Sequence, residues 1–111
     1  MRGDTNRSAM SARRLRIRFA KDAREDIRDI LVFTEKRWGR QQRAVYRAAL
    51  DEAFATIRAN PQIGRSRDDL LIGVRTFVVR EHTVLYTVDE DAITVLRVVH
   101  GRIDITGELL R

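Results

Sequence analysis

Near the end of this chain, Leu96-Arg-Val-Val-His100-Gly-Arg102-Ile-Asp104 is an apolar run that stops abruptly in His, Gly and Arg. Such a run reads as a buried strand that delivers basic side chains to its own end. An imidazole titrates close to neutral pH, so His100 with Arg102 two residues on could combine proton transfer with phosphate binding. A histidine that ends a strand can equally be structural. Arg75 and Arg97 stand inside otherwise apolar strands, where an unpaired charge is costly, so each must find a carboxylate or carbonyl partner or face a cleft. Arg80 and His82 flank a tight turn and are either site residues or a solvated hairpin, and Tyr86, between Leu85 and Thr87, reads as a core tyrosine with a satisfied hydroxyl.

The elements that must position these side chains follow from periodicity. From Arg14, strict alternation places Leu15, Ile17 and Phe19 on one face and Arg14, Arg16 and Arg18 on the other, which predicts a half-buried strand with a basic face. Asp22 and Glu25 predict a helix start with a carboxylate cap, and Ala23, Ile27, Ile30, Leu31, Thr34 and Trp38 form its buried stripe up to the terminator Gly39. Val32 and Phe33 fall outside that stripe and either widen the core face or form an apolar surface for a partner helix. A second helix from Arg40 to Ala59, with Val45, Ala49, Ala53, Phe54 and Ile57 on its apolar side, stops at Asn60-Pro61. The short link makes the two helices antiparallel neighbours. Residues 61–71 read as a surface loop. Strands follow at Val74 to Arg80, Thr83 to Val88 and Ala92 to Val99, with turns at Glu81-His82 and Asp89-Glu90-Asp91; they form an antiparallel meander whose last strand is central. The class is α+β, with a helical hairpin on one face of a small, curved sheet. Residues 1–12 read as a disordered leader or an appended remnant, and residues 13–111 as a single domain.

Composition narrows the function. With no cysteine and only His82 and His100 as histidines, disulfides and thiolate metal sites are excluded, and neither a metal nor any other cofactor is expected. Apolar runs are too short for a membrane span or a signal sequence, so a cytoplasmic, soluble protein is expected. The net charge of +6 comes from 22 basic residues, all but Lys21 and Lys36 arginine, against 16 acidic ones. Guanidinium forks suit carboxylates and phosphates, so this balance reflects either coding bias and solubility or an acidic partner: nucleic acid, a nucleic-acid enzyme or an acidic protein.

The element order also carries recognisable motifs: Arg37-Trp38-Gly39 ending the first helix, Asn60-Pro61-x-Ile63-Gly64-Arg65 after the second, Gly73-Val-Arg75 opening a strand, His82-x-Val-Leu-Tyr86 in the next, and Arg97-Val-Val-His100-Gly-Arg102-x-Asp104 at the end. Together they resemble the RelE/ParE superfamily of toxins from bacterial toxin–antitoxin pairs, over nearly all of residues 13 to 110, and the loop and the ending are most similar to the ParE branch. The resemblance implies a β-α-α-β-β-β fold on a mainly antiparallel sheet. For the ParE branch it implies a growth-arresting poison of DNA gyrase without nuclease chemistry, held in a hetero-oligomer by a ParD-like antitoxin whose C-terminal segment wraps around it.

For the RelE branch it implies a ribosome-dependent endoribonuclease that drives a 2'-hydroxyl onto the adjacent phosphate, with His100, Arg102, Arg97 and Arg75 as its catalytic candidates. Two departures disfavour that branch: Gly107-Glu-Leu-Leu110 lacks its terminal tyrosine, and Asp68-Asp69 stands where its basic residues would serve the phosphate. A related branch nevertheless places a histidine where His100 stands. A basic nucleic-acid-binding module, using Arg14, Arg16, Arg18, Arg40 and Arg43, is a third reading. The expected target contact is Arg97, His100, Arg102 and Asp104 with Leu109 and Leu110 of the tail; the expected antitoxin contact is Arg14, Arg16, Arg18, Val32, Phe33 and Trp38.

Overall fold

Alternation sets the first element. In the computed structural model, which describes residues 15–111, β1 spans Arg16–Phe19; Leu15, Ile17 and Phe19 pack on the core while Arg16 and Arg18 stay exposed. Arg14 and the leader expected at 1–12 lie outside the described residues. Helix α1 (Lys21–Trp38) starts one residue later, and Asp22 does not cap it. The N-cap position is Ala20, whose N–H still bonds the Val95 carbonyl in the sheet at 2.9 Å. The strand therefore runs directly into the helix, and Asp22 falls in the first turn, where its charge favours the positive end of the dipole.

Gly39, at φ 97°, alone joins α1 to α2 (Arg40–Ala59) and folds them into a hairpin. The buried side of α2 is Tyr46, Leu50, Ala53, Phe54 and Ile57, so the predicted stripe is corrected by one residue at its N-terminal half: Val45 is 41% exposed. Both settings satisfy helical spacing. The deciding contact is tertiary, the Tyr46 hydroxyl reaching His82 in the sheet. Trp38 likewise leaves the predicted stripe of α1; at the hairpin end it is 63% exposed, with the Arg37 guanidinium 4.9 Å from its ring centre.

The sheet has five strands in the order β1-β5-β4-β3-β2, with β2 (Arg65–Ser66), β3 (Arg75–Val79), β4 (His82–Val88) and β5 (Ala92–His100). The meander β3-β4-β5 is antiparallel as expected, and β1 adds parallel to β5, so β5 is an interior strand. The loop expected at 61–71 contributes β2, a two-residue strand too short to leave an alternation. The β3–β4 turn is Arg80-Glu81 rather than Glu81-His82: Arg80 takes φ 55°, which frees His82 to pair with both Val79 and His100. A register shift opposite Leu85 and Tyr86 leaves Leu96 as an extra residue in β5, a bulge that bends the strand.

Both faces of the sheet are covered. Residues Val84, Tyr86, Ile93, Val95 and Val98 meet the helices, while Val74, Leu85 and Val99 on the other face meet Leu70, Leu96, Ile105, Leu109 and Leu110. The tail thus folds back as a 3-10 turn, Gly107–Leu110, over the second face. Among the described residues no helix is long and apolar enough to cross a membrane.

Candidate functional site

Two of the arginines with chemical potential are committed to structure. Arg75 donates to the carbonyls of Gln62 (3.1 Å) and Gly64 (2.6 Å) and to the Gln62 side-chain oxygen (2.6 Å). From the other side, the buried Tyr86 hydroxyl donates to Pro61 O at 2.8 Å and accepts from Gly64 N–H at 2.9 Å; burial pushes its pKa up. A Cβ at Gly64 would lie 2.6 Å from that hydroxyl, so only glycine fits there. The Asn-Pro-x-Ile-Gly-Arg loop, the Gly-Val-Arg strand start and the tyrosine of β4 are therefore one clamp.

Arg97 is the second. Its fork grips Asp26 of α1 at 2.7 and 3.0 Å, which holds the guanidinium firmly protonated, and its third nitrogen donates to Leu109 O at 3.1 Å. Asp26 also accepts the Val98 backbone N–H at 2.9 Å. β1 pairs with β5 only as far as Val95, so the helix carboxylate satisfies β5 beyond the end of its neighbouring strand. Asp26 was not singled out by the sequence: it lies 71 residues from Arg97, and an acid in a helix rich in acids carries no mark.

Above this pair opens a groove of about 760 Å³ between the second half of α1, the start of α2, the β3–β4 turn and the end of β5. Phe33 and Trp38, 64% and 63% exposed, form its apolar wall. Opposite them His82 and His100, paired across the two strands, meet edge to face with ring centres 5.3 Å apart. The Tyr46 hydroxyl and His82 Nδ1 share a short hydrogen bond, and burial raises the pKa of the hydroxyl, which keeps its proton. Burial, and next the neighbouring His100, lower the pKa of His82, with Glu81 and Asp26 opposing. His100 Nδ1 accepts the Arg102 backbone N–H at 3.1 Å. The left-handed backbone of Arg80 brings that residue to the rim, a strain of the kind that clusters at binding sites. His82 is thus a groove residue rather than a solvated hairpin, and Tyr46 is one the sequence did not single out.

The structure gathers the predicted residues selectively. Arg97 and His100 of the expected target contact share the groove with Phe33 and Trp38 of the expected antitoxin contact. Arg102 and Asp104 are exposed just beyond it, whereas Leu109 and Leu110 pack under the other sheet face. Val32 is 40% exposed on α1, which identifies it and Phe33 as surface rather than added core. Arg16 and Arg18 stand on β1 with their side chains alternating away from the core; Arg18 bonds the Thr94 hydroxyl at 3.1 Å and lies 3.8 Å from Asp89. Arg75 is remote from the groove, held by its loop. Among the described residues no group of three histidine or acidic side chains could hold a metal ion.

Comparison with known proteins places this geometry. The model of the ParE toxin of type II toxin–antitoxin systems matches residues 17–105. Toxin ParE1 of Mycobacterium tuberculosis (strain H37Rv) is 38% identical over 88 residues, covering 78% of this chain and 90% of the relative. Toxin ParE1 of Caulobacter vibrioides is 29% identical over 92 residues, covering 83% and 95%. In fold, a chain of the chromosomal ParDE system from P. aeruginosa superposes with a TM-score of 0.67 at 17% identity, covering 78% of this chain and 95% of that one. A chain of the toxin–antitoxin complex RelBE2 from M. tuberculosis gives 0.57 at 23%, covering 78% and 91%. The chain belongs to the ParE toxins of type II toxin–antitoxin systems, within the RelE/ParE superfamily.

Proposed function

We propose that this toxin arrests growth in the cytoplasm by binding and inhibiting DNA gyrase, without chemistry of its own, and that a ParD-like antitoxin silences it in a hetero-oligomer. The observation that carries this reading is the groove: exposed aromatic side chains on one wall and a pair of imidazoles on the other make a contact surface. The arginines that a ribonuclease would aim at a phosphate are otherwise engaged, Arg75 by loop carbonyls and Arg97 by Asp26. Family membership supports the gyrase target, and the P. aeruginosa neighbour, a ParDE system, supports the pairing with an antitoxin.

On this reading the antitoxin lies along Val32, Phe33 and Trp38 and reaches the basic strand face at Arg16 and Arg18, while the target meets His100, Arg102 and Asp104. Because Phe33, Trp38 and His100 line one groove, antitoxin and target exclude each other sterically. Leu109 and Leu110 contribute by holding the tail against β5. The test is a supercoiling assay with purified gyrase beside a ribosome-programmed mRNA cleavage assay, on the same antitoxin-free protein. Inhibited supercoiling with intact mRNA is expected; cleaved mRNA with normal supercoiling would replace this reading with a ribonuclease centred on His100.

A further inference from the structure

We propose that His82 and His100 together form a carboxylate-binding site in the groove, filled by an aspartate or glutamate side chain of the bound antitoxin. The argument starts from how each ring is held. His100 Nδ1 accepts a backbone N–H from Arg102, so in the neutral ring the proton sits on Nε2. His82 Nδ1 is bonded to the Tyr46 hydroxyl, and with that hydroxyl as donor the proton of this ring also sits on Nε2. In that arrangement both rings carry the same tautomer, and among the described residues neither Nε2 has a hydrogen-bond partner. The rings meet edge to face across the last pairing of β4 with β5, 5.3 Å between centres, in a groove wide enough for a side chain. Two N–H donors on adjoining rings can be shared by the two oxygens of one carboxylate.

The charged side chains lining the groove, Asp26, Asp29 and Glu81 against Arg80 and Arg97, are largely offset by partners. On α1, Asp26 has both oxygens occupied by Arg97 and the Val98 N–H, and Asp29 lies 3.9 Å from Arg28. Tyr46 faces from α2, Arg80 and Glu81 from the turn, and Arg97 from β5. The whole chain carries +6, which suits an acidic occupant. A carboxylate at the pair also favours imidazolium at His82, against the burial and the His100 neighbour that oppose it in the free protein. Binding therefore takes up a proton and tightens as the pH falls from 8 to 6. The occupant rests on the reading that an antitoxin lies in the groove; the two donors do not.

The first experiment uses the purified full chain and long-range proton–nitrogen spectra of its imidazoles. Both histidines are expected as the Nε2–H tautomer, and an Nδ1–H tautomer at either overturns the site. Sodium acetate is then titrated against sodium chloride at equal ionic strength. Acetate is expected to shift both rings together, saturably, and to raise the His82 titration midpoint; a response equal to that of chloride, or confined to one ring, overturns it. A stronger response to sodium phosphate overturns the carboxylate class. Finally, His82→Gln and His100→Gln are each expected to weaken binding of a cognate ParD-like antitoxin by about tenfold and to flatten the pH dependence. If the antitoxin changes the Trp38 emission but binds both variants equally, the carboxylate proposal fails while the groove reading stands; an unmoved Trp38 emission fails the groove reading itself.

Discussion

Asp26 faces β5 from α1 where β1 has already ended, and its two oxygens take one backbone N–H and both prongs of Arg97. With the side chains of Arg97 and Asp26 only 23% and 16% exposed, removing the carboxylate strands a guanidinium and a strand amide together. Asp26→Ala is therefore expected to cost about 3 kcal/mol, read by urea unfolding. The Tyr86 hydroxyl plays a comparable part at the far side of the sheet, where it closes the 60–65 loop from within. Tyr86→Phe leaves the Gly64 N–H and Pro61 carbonyl without that partner and is expected to cost about 1–3 kcal/mol, with faster amide exchange confined to that loop. At this scale the sequence was half legible. That Arg75 and Arg97 needed partners followed from desolvation alone, as did a satisfied hydroxyl on Tyr86; which groups supply them depends on chain closure over long separations, and a pattern of neighbours carries no trace of that.

Elements were legible wherever one face is wet. The alternation of β1, the meander and the hairpin closed by Gly39 each follow from a periodicity that solvent enforces. Legibility failed where two settings satisfied the same spacing, as in α2, where tertiary contact at Tyr46 chose the rotation. It failed again for β2, too short to alternate, and at Arg80, where a non-glycine residue takes the left-handed conformation. The setting of α2 has a thermodynamic consequence, because it buries His82 against Tyr46 and lowers the pKa of the imidazole. The unfolded chain then binds that proton more readily than the folded one. Stability from His82 is complete above the unfolded value of about 6.5 and declines as the pH drops below it toward the folded value. Unfolding midpoints are expected to fall on acidification through that range, and to fall less in His82→Gln; an equal fall in both proteins would remove His82 as the cause.

Across the whole molecule, a +6 chain presents its arginines on several faces, with the aromatic groove beside α1 and a basic edge at β1. On the proposed reading, an acidic antitoxin segment that wraps the chain would meet both. Charge reversal at Arg16 and Arg18 is expected to lower antitoxin affinity and to reduce its dependence on salt, as measured by titration at two ionic strengths. The groove carries its own reporter, because Trp38 is the chain's single tryptophan and lies 63% exposed on the groove wall. The decisive measurement is the emission of Trp38 as an antitoxin without tryptophan is added to the free toxin. A saturable shift to shorter wavelength, in step with recovery of gyrase supercoiling, is the expected result; full recovery of supercoiling with the Trp38 emission unmoved would contradict the account, since neutralisation would then leave the groove open.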